Sequence, residues 1–162
     1  MPKFERRLSL ESLDEWLKDL ELRKKQYSKV ALKIADRMAD EMLKEVSSEK
    51  GYRGTYKVSA RLDGNVATAG IKNDEQKAMF KEYGTGIVGS QNPHVAEALE
   101  QAGWKYDVNQ HGEKGWVYPK GDGTFAWTKG QPASKKFWEA LQNVEKMFPE
   151  IGQEELLREV GR

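Results

Sequence analysis

Leu13, Trp16, Leu17 and Leu20 recur at steps of three and four along the chain. After a gap, Tyr27, Val30, Ala31, Ile34, Ala35, Met38, Met42 and Val46 do the same. At about 100° per residue both sets fall on one side of a helix, which predicts a long amphipathic helix over residues 8–50. Ser9 or Ser12 can cap its start. Ser12 with Glu15 three residues later has the capping-box form, and Asp14 adds negative charge near the positive end of the helix dipole. Arg23 and Lys24 interrupt the stripe, which predicts either a bend or two differently packed segments. No Pro or Gly lies between residues 3 and 50, so a continuous helix is also allowed. Gly51 and Gly54 end it.

The period then changes from 3.6 to 2. Residues 55–62 alternate as a strand does, Asp63-Gly64 is a hairpin turn signal, and residues 65–71 return as the partner, giving a β-hairpin over 55–72. Asp74 to Tyr83 reads as a short helix capped by Asn73 or Asp74. Residues 86–131 are rich in glycine and tryptophan. They read as a long, turn-rich insertion with a short helix near 93–101 and short strands near 115–119 and 124–128. Pro132 opens a closing helix over 132–148, with Phe137, Trp138, Leu141, Val144, Met147 and Phe148 as its apolar stripe. Pro149 and Gly152 break that helix, and residues 151–162 form a C-terminal tail with a final helical turn or two. The expected fold is one α+β domain over residues 1–150, with the closing helix packed on a small antiparallel sheet.

Composition narrows the function. In 162 residues there are 27 Lys plus Arg and 26 Asp plus Glu, so the net charge is +1. A protein that wraps phosphate backbones usually carries a clear basic excess, and this chain does not. The absence of cysteine excludes disulfide scaffolds, thiolate metal sites and a cysteine nucleophile. No run has the length of a membrane span, and Met-Pro-Lys-Phe-Glu-Arg-Arg lacks the apolar stretch of a secretion signal. A soluble protein made in the cytoplasm is expected, with no membrane partner.

Candidate chemistry is sparse. The two histidines, His94 and His111, sit in glycine-containing loops without HExxH or paired-helix spacing. A small metal-dependent hydrolase or nuclease using His94, Asp107 and His111 is the alternative reading. Residues 91–130 carry four Lys against five acids, however, which suits phosphate poorly, and turn-forming Asp and Asn explain the composition more simply. Gly84 to Gly89 has the GxGxxG spacing, but it follows a helix and leads into a loop, the wrong context for a dinucleotide. No cofactor is expected. Lys25, Lys29, Lys33 and Arg37 form a stripe opposite the apolar one. That stripe reads as a solvated face, or as a contact with an acidic neighbour or nucleic acid, diluted by Asp36 and Asp40. A nucleic-acid accessory protein using these four cations is a further alternative. Trp104, Tyr106, Trp116, Tyr118, Phe125, Trp127 and Trp138 crowd seven aromatics into 35 residues. They either pack a local core or anchor a protein interface.

One set of segments is recognisable in order. Phe80-Lys81-Glu82-Tyr83-Gly84-Thr85-Gly86 is followed by Gly103-Trp104-Lys105-Tyr106-Asp107-Val108-Asn109. His111-Gly112-Glu113-Lys114-Gly115-Trp116-Val117-Tyr118-Pro119, then Phe125-Ala126-Trp127-Thr128-Lys129-Gly130 and Pro132-Ala133, complete it. The set resembles the head–tail joining, or tail-completion, proteins of tailed bacteriophages and prophages, over roughly residues 8–148. Ser134-Lys135-Lys136 departs from the Arg-Pro that the family often carries before the aromatic residue. The resemblance implies a non-enzymatic virion protein of the neck, a homo-oligomeric ring, hexameric by family likeness. Its implied partners are the head connector and the tail-tube or tail-terminator proteins, with DNA passing nearby. The candidate motif and interface residues are Glu82, Tyr83, Gly84, Thr85, Gly86, Trp104, Trp116, Trp127, Lys25, Lys29, Lys33 and Arg37. Read from the residues alone, Gly84 and Gly86 allow positive φ or close backbone approach. Thr85 can bond local backbone, and Glu82 can accept backbone N–H groups or pair with a neighbour's Arg. A tight helix-to-strand junction is the other explanation of these positions.

Overall fold

The computed structural model describes residues 10–108 and 114–160. Ser9, the side chain of Ser12, and residues 109–113 with His111 lie outside the described residues.

The first apolar stripe forms one helix, α1 (Leu10–Ser47), with no break at Arg23 and Lys24. Both cations point to solvent, and Arg23 Nε donates to Asp19 one turn back at 2.7 Å. Neither needs burial, so nothing forces the ladder of backbone bonds to bend. The stripe is covered only in its second part, where Val30, Ala39 and Val46 are buried.

The predicted hairpin is β1 (Tyr56–Asp63) with β2 (Val66–Lys72), antiparallel. Asp63 pairs with Val66, so the two loop residues are Gly64 and Asn65, one position later than the Asp63-Gly64 signal. A bulge between Val58 and Arg61 shifts the register, and the half-buried Lys57 and Ala60 stand three apart rather than two. The hairpin lies on α1, where Lys57 Nζ meets Asp36 and Asp40 at 2.9 and 2.8 Å. These carboxylates therefore serve the sheet rather than diluting an open cationic face.

Next come α2 (Gln76–Tyr83), α3 (Gly86–Gln91) and α4 (Ala96–Ala102). Asn73 does not cap α2 directly; its Oδ1 accepts the Glu75 N–H at 2.9 Å and shapes the turn before the helix. Asp74 binds Lys72 and Tyr56 instead. Helix α3 replaces the loop expected there. The insertion then supplies a second hairpin, β3 (Trp116–Pro119) with β4 (Phe125–Thr128), and the short β5 (Gly130–Gln131).

The last helix, α5 (Lys136–Val160), runs through Pro149 without stopping. This corrects both the expected break and the expected tail. Pro149 is exposed, so the carbonyl of Glu145 that loses its N–H partner faces water. Beyond Pro149, Ile151 and Glu155 are buried against α1, and Gly152 sits over the Ile34 side chain. Asn143 reaches Glu45, Arg37 reaches Glu154 and Glu155, and Lys33 reaches Glu159, so α5 lies antiparallel to α1. The centre of the core is Val46, Tyr52, Ala78 and Ala140, with Met42, Ile71 and Phe137 packed on it. Ile71 of the first sheet and Phe137 of the closing helix both pack on this cluster, but the closing helix lies chiefly on α1 rather than on the sheet where it is expected. The architecture is α+β, as the change of period predicts.

Candidate interaction surface

Glu82 organises the centre of the molecule. It is 6% exposed and ends α2. Its Oε2 accepts the Tyr52 hydroxyl at 2.9 Å and the Phe137 N–H at 3.1 Å, and its Oε1 accepts the Trp138 N–H at 3.2 Å. Phe137 and Trp138 belong to the first turn of α5, whose N–H groups have no partner inside the helix. Lys135, the residue before α5, has no side-chain acceptor to cap it. A carboxylate from another helix therefore does the capping, where the dipole favours negative charge. The backbone supports this dock, since Ser134 N donates to Lys81 O at 2.9 Å and Lys135 N to Glu82 O at 3.3 Å. Lys135 itself is held at a φ of 58°, in the left-handed region that side chains rarely adopt.

Two further groups complete the cluster. Tyr52 also bonds Ser134 Oγ. Burial pushes the Tyr52 phenol well above its usual value; the Ser134 hydroxyl works against that shift and the Glu82 charge adds to it. His94, 3% exposed, lies 3.2 Å from Glu82 Oε1 through Nε2, and its Nδ1 accepts the Val95 N–H at 2.9 Å. That second bond assigns the ring proton to Nε2, which donates to Glu82. Both ring nitrogens are occupied, so His94 can ligate a metal only by giving up one of these bonds. Asp107 is exposed. Among the described residues, no group of three or more His, Asp or Glu is placed to hold a metal ion, and no helix is long and apolar enough to cross a membrane.

The rest of the recognised motif builds the same junction. Tyr83 stacks on Trp104 with ring centroids 5.3 Å apart and meets His94 at 5.3 Å; Trp138 closes on His94 edge-on. Tyr106 donates to the Tyr83 carbonyl at 2.8 Å. Gly84 takes φ 78°, and a side chain there would meet Ala133 N at 2.7 Å. Gly86 takes φ 59°, and a Cβ would stand 2.5 Å from Lys129 O. Thr85 and Gly86 form antiparallel bridges with Gln131 and Gly130, tying the α2–α3 turn to the end of the second hairpin. Glu82, Tyr83, Gly84, Thr85, Gly86 and Trp104 thus hold the fold together from inside, and Glu82 takes backbone N–H groups rather than a neighbour's arginine.

The second hairpin behaves differently. Its register pairs Val117 with Trp127 and Pro119 with Phe125, so these four share one face. That face is bare: Val117 is 61%, Phe125 69% and Trp127 58% exposed, and Pro119 is exposed as well. Exposed Lys114, Lys120 and Lys129 border it, with Lys129 Nζ 5.8 Å from the Trp127 ring centroid. Asp122 pins the turn by accepting the Thr124 hydroxyl and N–H, which hold its carboxyl below the usual range. The opposite face carries Trp116, Tyr118 and Thr128. It closes over Lys77, Phe80 and Lys81 of α2 around a cleft of about 500 Å³. Trp116 therefore looks inward and Trp127 outward. Val117 and Pro119 are not among the candidate residues; alternation sets them on one face of their strand, and only the register brings that face beside Phe125 and Trp127.

The cationic stripe divides too. Lys33 and Arg37 are engaged by the acids of α5, and the Arg37 guanidinium is raised above its ordinary value chiefly by its hydrogen bond to Glu154. Lys25 and Lys29 are exposed. Near them, Trp16, Leu17, Leu20, Leu22 and Tyr27 on the first part of α1 are also uncovered. The structure thus brings the motif residues together inside, and among the surfaces it leaves open are the outer face of the second hairpin and the N-terminal arm of α1. Comparison with protein-family models, with curated proteins and with solved structures finds no match to this chain.

Proposed function

We propose that this chain is a structural coupling protein of the neck of a tailed phage or prophage particle, joining the head connector to the tail in a homo-oligomeric ring. The observation that carries this reading is the bare apolar face of Val117, Pro119, Phe125 and Trp127. Monomeric proteins seldom leave so many large apolar side chains together at the surface, and Trp and Phe anchor protein interfaces. The lysine border supplies a polar rim that would select an acidic partner surface. The ordered motif segments that resemble tail-completion proteins point to the same role, and the glycines and Glu82 of that motif act as the rigid base from which the hairpin projects. Head, tail and neck proteins are then the partners, and the virion neck the location.

The test is electron microscopy of particles made without this protein. Filled heads and separate tails are expected, and normally joined particles would refute the reading. Complementation with Phe125→Ser/Trp127→Ser should fail to restore joining although the variant folds.

A further inference from the structure

The N-terminal part of α1 is an amphipathic helix whose apolar side is open among the described residues, apart from a cleft that Leu20, Arg23, Lys24 and Tyr27 share with Asn65 of the first hairpin's turn. From Asp14 to Tyr27 every residue is exposed, including Trp16 at 57% and Tyr27 at 63%. Residues 10–27 make an arm of about 27 Å at 1.5 Å per residue. Its charge is strongly segregated. Residues 14–21 carry Asp14, Glu15, Asp19 and Glu21 against Lys18, and residues 22–29 carry Arg23, Lys24, Lys25 and Lys29 with no acid. Arg23 and Lys24 interrupt the apolar stripe itself, yet the helix is unbroken there and leaves both exposed.

We propose that the arms of two copies of this chain pair antiparallel across Leu20. This inference goes beyond the neck reading and does not rest on it. In that register residue i of one copy lies opposite residue 40 minus i of the other. Leu20 meets its own copy, Lys24 meets the partner's Trp16, and Arg23 meets the partner's Leu17. The cation over the indole face and the alkyl stems over the leucine account for two cations inside an apolar stripe. Asp19 and Glu21 meet the partner's Glu21 and Asp19 beside the central leucine, and outward from there the acidic Asp14-Glu15 end of each arm lies along the Lys24-Lys25-Gln26 stretch of the other. A parallel pair would instead set Arg23 and Lys24 against their own copies. The antiparallel pair moves the two Lys24 eight residues apart and the two Arg23 six, about 12 Å and about 9 Å along the axis, beyond the roughly 8 Å screening length of physiological salt.

The occupant follows from the charge pattern. An arm that is acidic at one end and basic at the other is complementary to itself when reversed. Trp16, Leu17, Leu20 and Tyr27 offer on the order of 400 Å² of exposed apolar surface per copy, below the roughly 800 Å² per partner of a standard interface. The pairing is therefore a reversible dimer of roughly micromolar affinity. It is two-fold and closed, unlike the head-to-tail contacts that build a ring, so it leaves the second hairpin free.

The absence of native cysteine makes the test direct. Full-length chains carrying Trp16→Cys or Lys24→Cys are purified separately and oxidised alone and mixed. The mixture should cross-link efficiently and each variant alone should not. Cross-linking of each variant with itself would mean a parallel pair and would overturn the proposal, and so would no cross-linking in the mixture. Sedimentation of the unaltered chain should show dimers growing with concentration, and Leu20→Ser should remove them without changing the circular dichroism or the melting temperature. A chain that stays monomeric through high micromolar concentration, or a dimer indifferent to Leu20→Ser, would also refute it. Joining of phage particles is a separate readout, so the two proposals fail separately.

Discussion

Two aromatic regions of this molecule have similar composition and opposite fates. Around the α2–α3 turn, Tyr83, His94, Trp104 and Trp138 close on one another above a buried carboxylate. In the second hairpin, Phe125 and Trp127 stand in solvent beside Val117. The difference lies in what each backbone lies against. The first group sits where three helices converge and must satisfy the free end of α5. The second lies on a two-stranded sheet, and two strands can be covered on one face by a helix while the other stays open. Aromatic richness in a loop is thus no guide to an interface until the strand register is known.

The sharpest way to break the comparison is Glu82→Ala. It strands the His94 N–H and two backbone N–H groups inside the protein and leaves the Tyr52 hydroxyl with Ser134 alone. A loss of about 3–5 kcal/mol is expected in urea unfolding. A cost below about 1 kcal/mol would mean that α5 is capped in another way.

Gly86→Ala comes next, at about 2 kcal/mol, because the new Cβ meets Lys129 O in a backbone region that disfavours side chains. It should also loosen the second hairpin, read as faster amide exchange at β3 and β4. Unchanged exchange there would show that the bridge at Gly86 does not anchor the hairpin.

Tyr52→Phe removes two hydrogen bonds for about 1–2 kcal/mol near neutral pH. Its pH dependence is more telling. The folded phenol ionises above the usual value of about 10. Its contribution is fully present below that pH and is lost as pH rises from there toward the folded value. The gap between the original chain and the variant should therefore narrow above about pH 10, measured as the difference in urea midpoint. A constant gap would show that burial does not control this group.

The smallest stability effects belong to the outer hairpin face. Phe125→Ser and Trp127→Ser should each shift unfolding by no more than about 0.5 kcal/mol, while joining of heads to tails fails. A large loss of stability would place these side chains in the fold rather than in an interface.

Much of the fold is legible in the chain because period and punctuation are local. The change from 3.6 to 2 after Gly51, the first hairpin to within one position of its turn, and the two strands of the insertion all follow from spacing alone. Helix α3 does not, since Gly86-Ile87-Val88-Gly89 has poor helix propensity and is held by the bridges from Gly130 and Gln131. The continuation of α5 through Pro149 is equally invisible. Pro opposes it locally, and the burial of Ile151 and Glu155 on α1 outweighs that opposition. Of the candidate residues, Glu82 is informative only because its possible partners include backbone N–H groups. Nothing local indicates that those groups lie 55 and 56 residues away, in α5.

Residue order alone determined where most of the helices and strands form, the near-neutral charge, the lack of thiols and the apolar stripe of α1, because each is a property of neighbours in the chain. Tertiary structure decided which part of that stripe is covered, which tryptophans turn outward, and that Lys33 and Arg37 face acids rather than solvent. Those outcomes depend on elements remote from one another in the chain meeting in space, and burial is settled only when they meet.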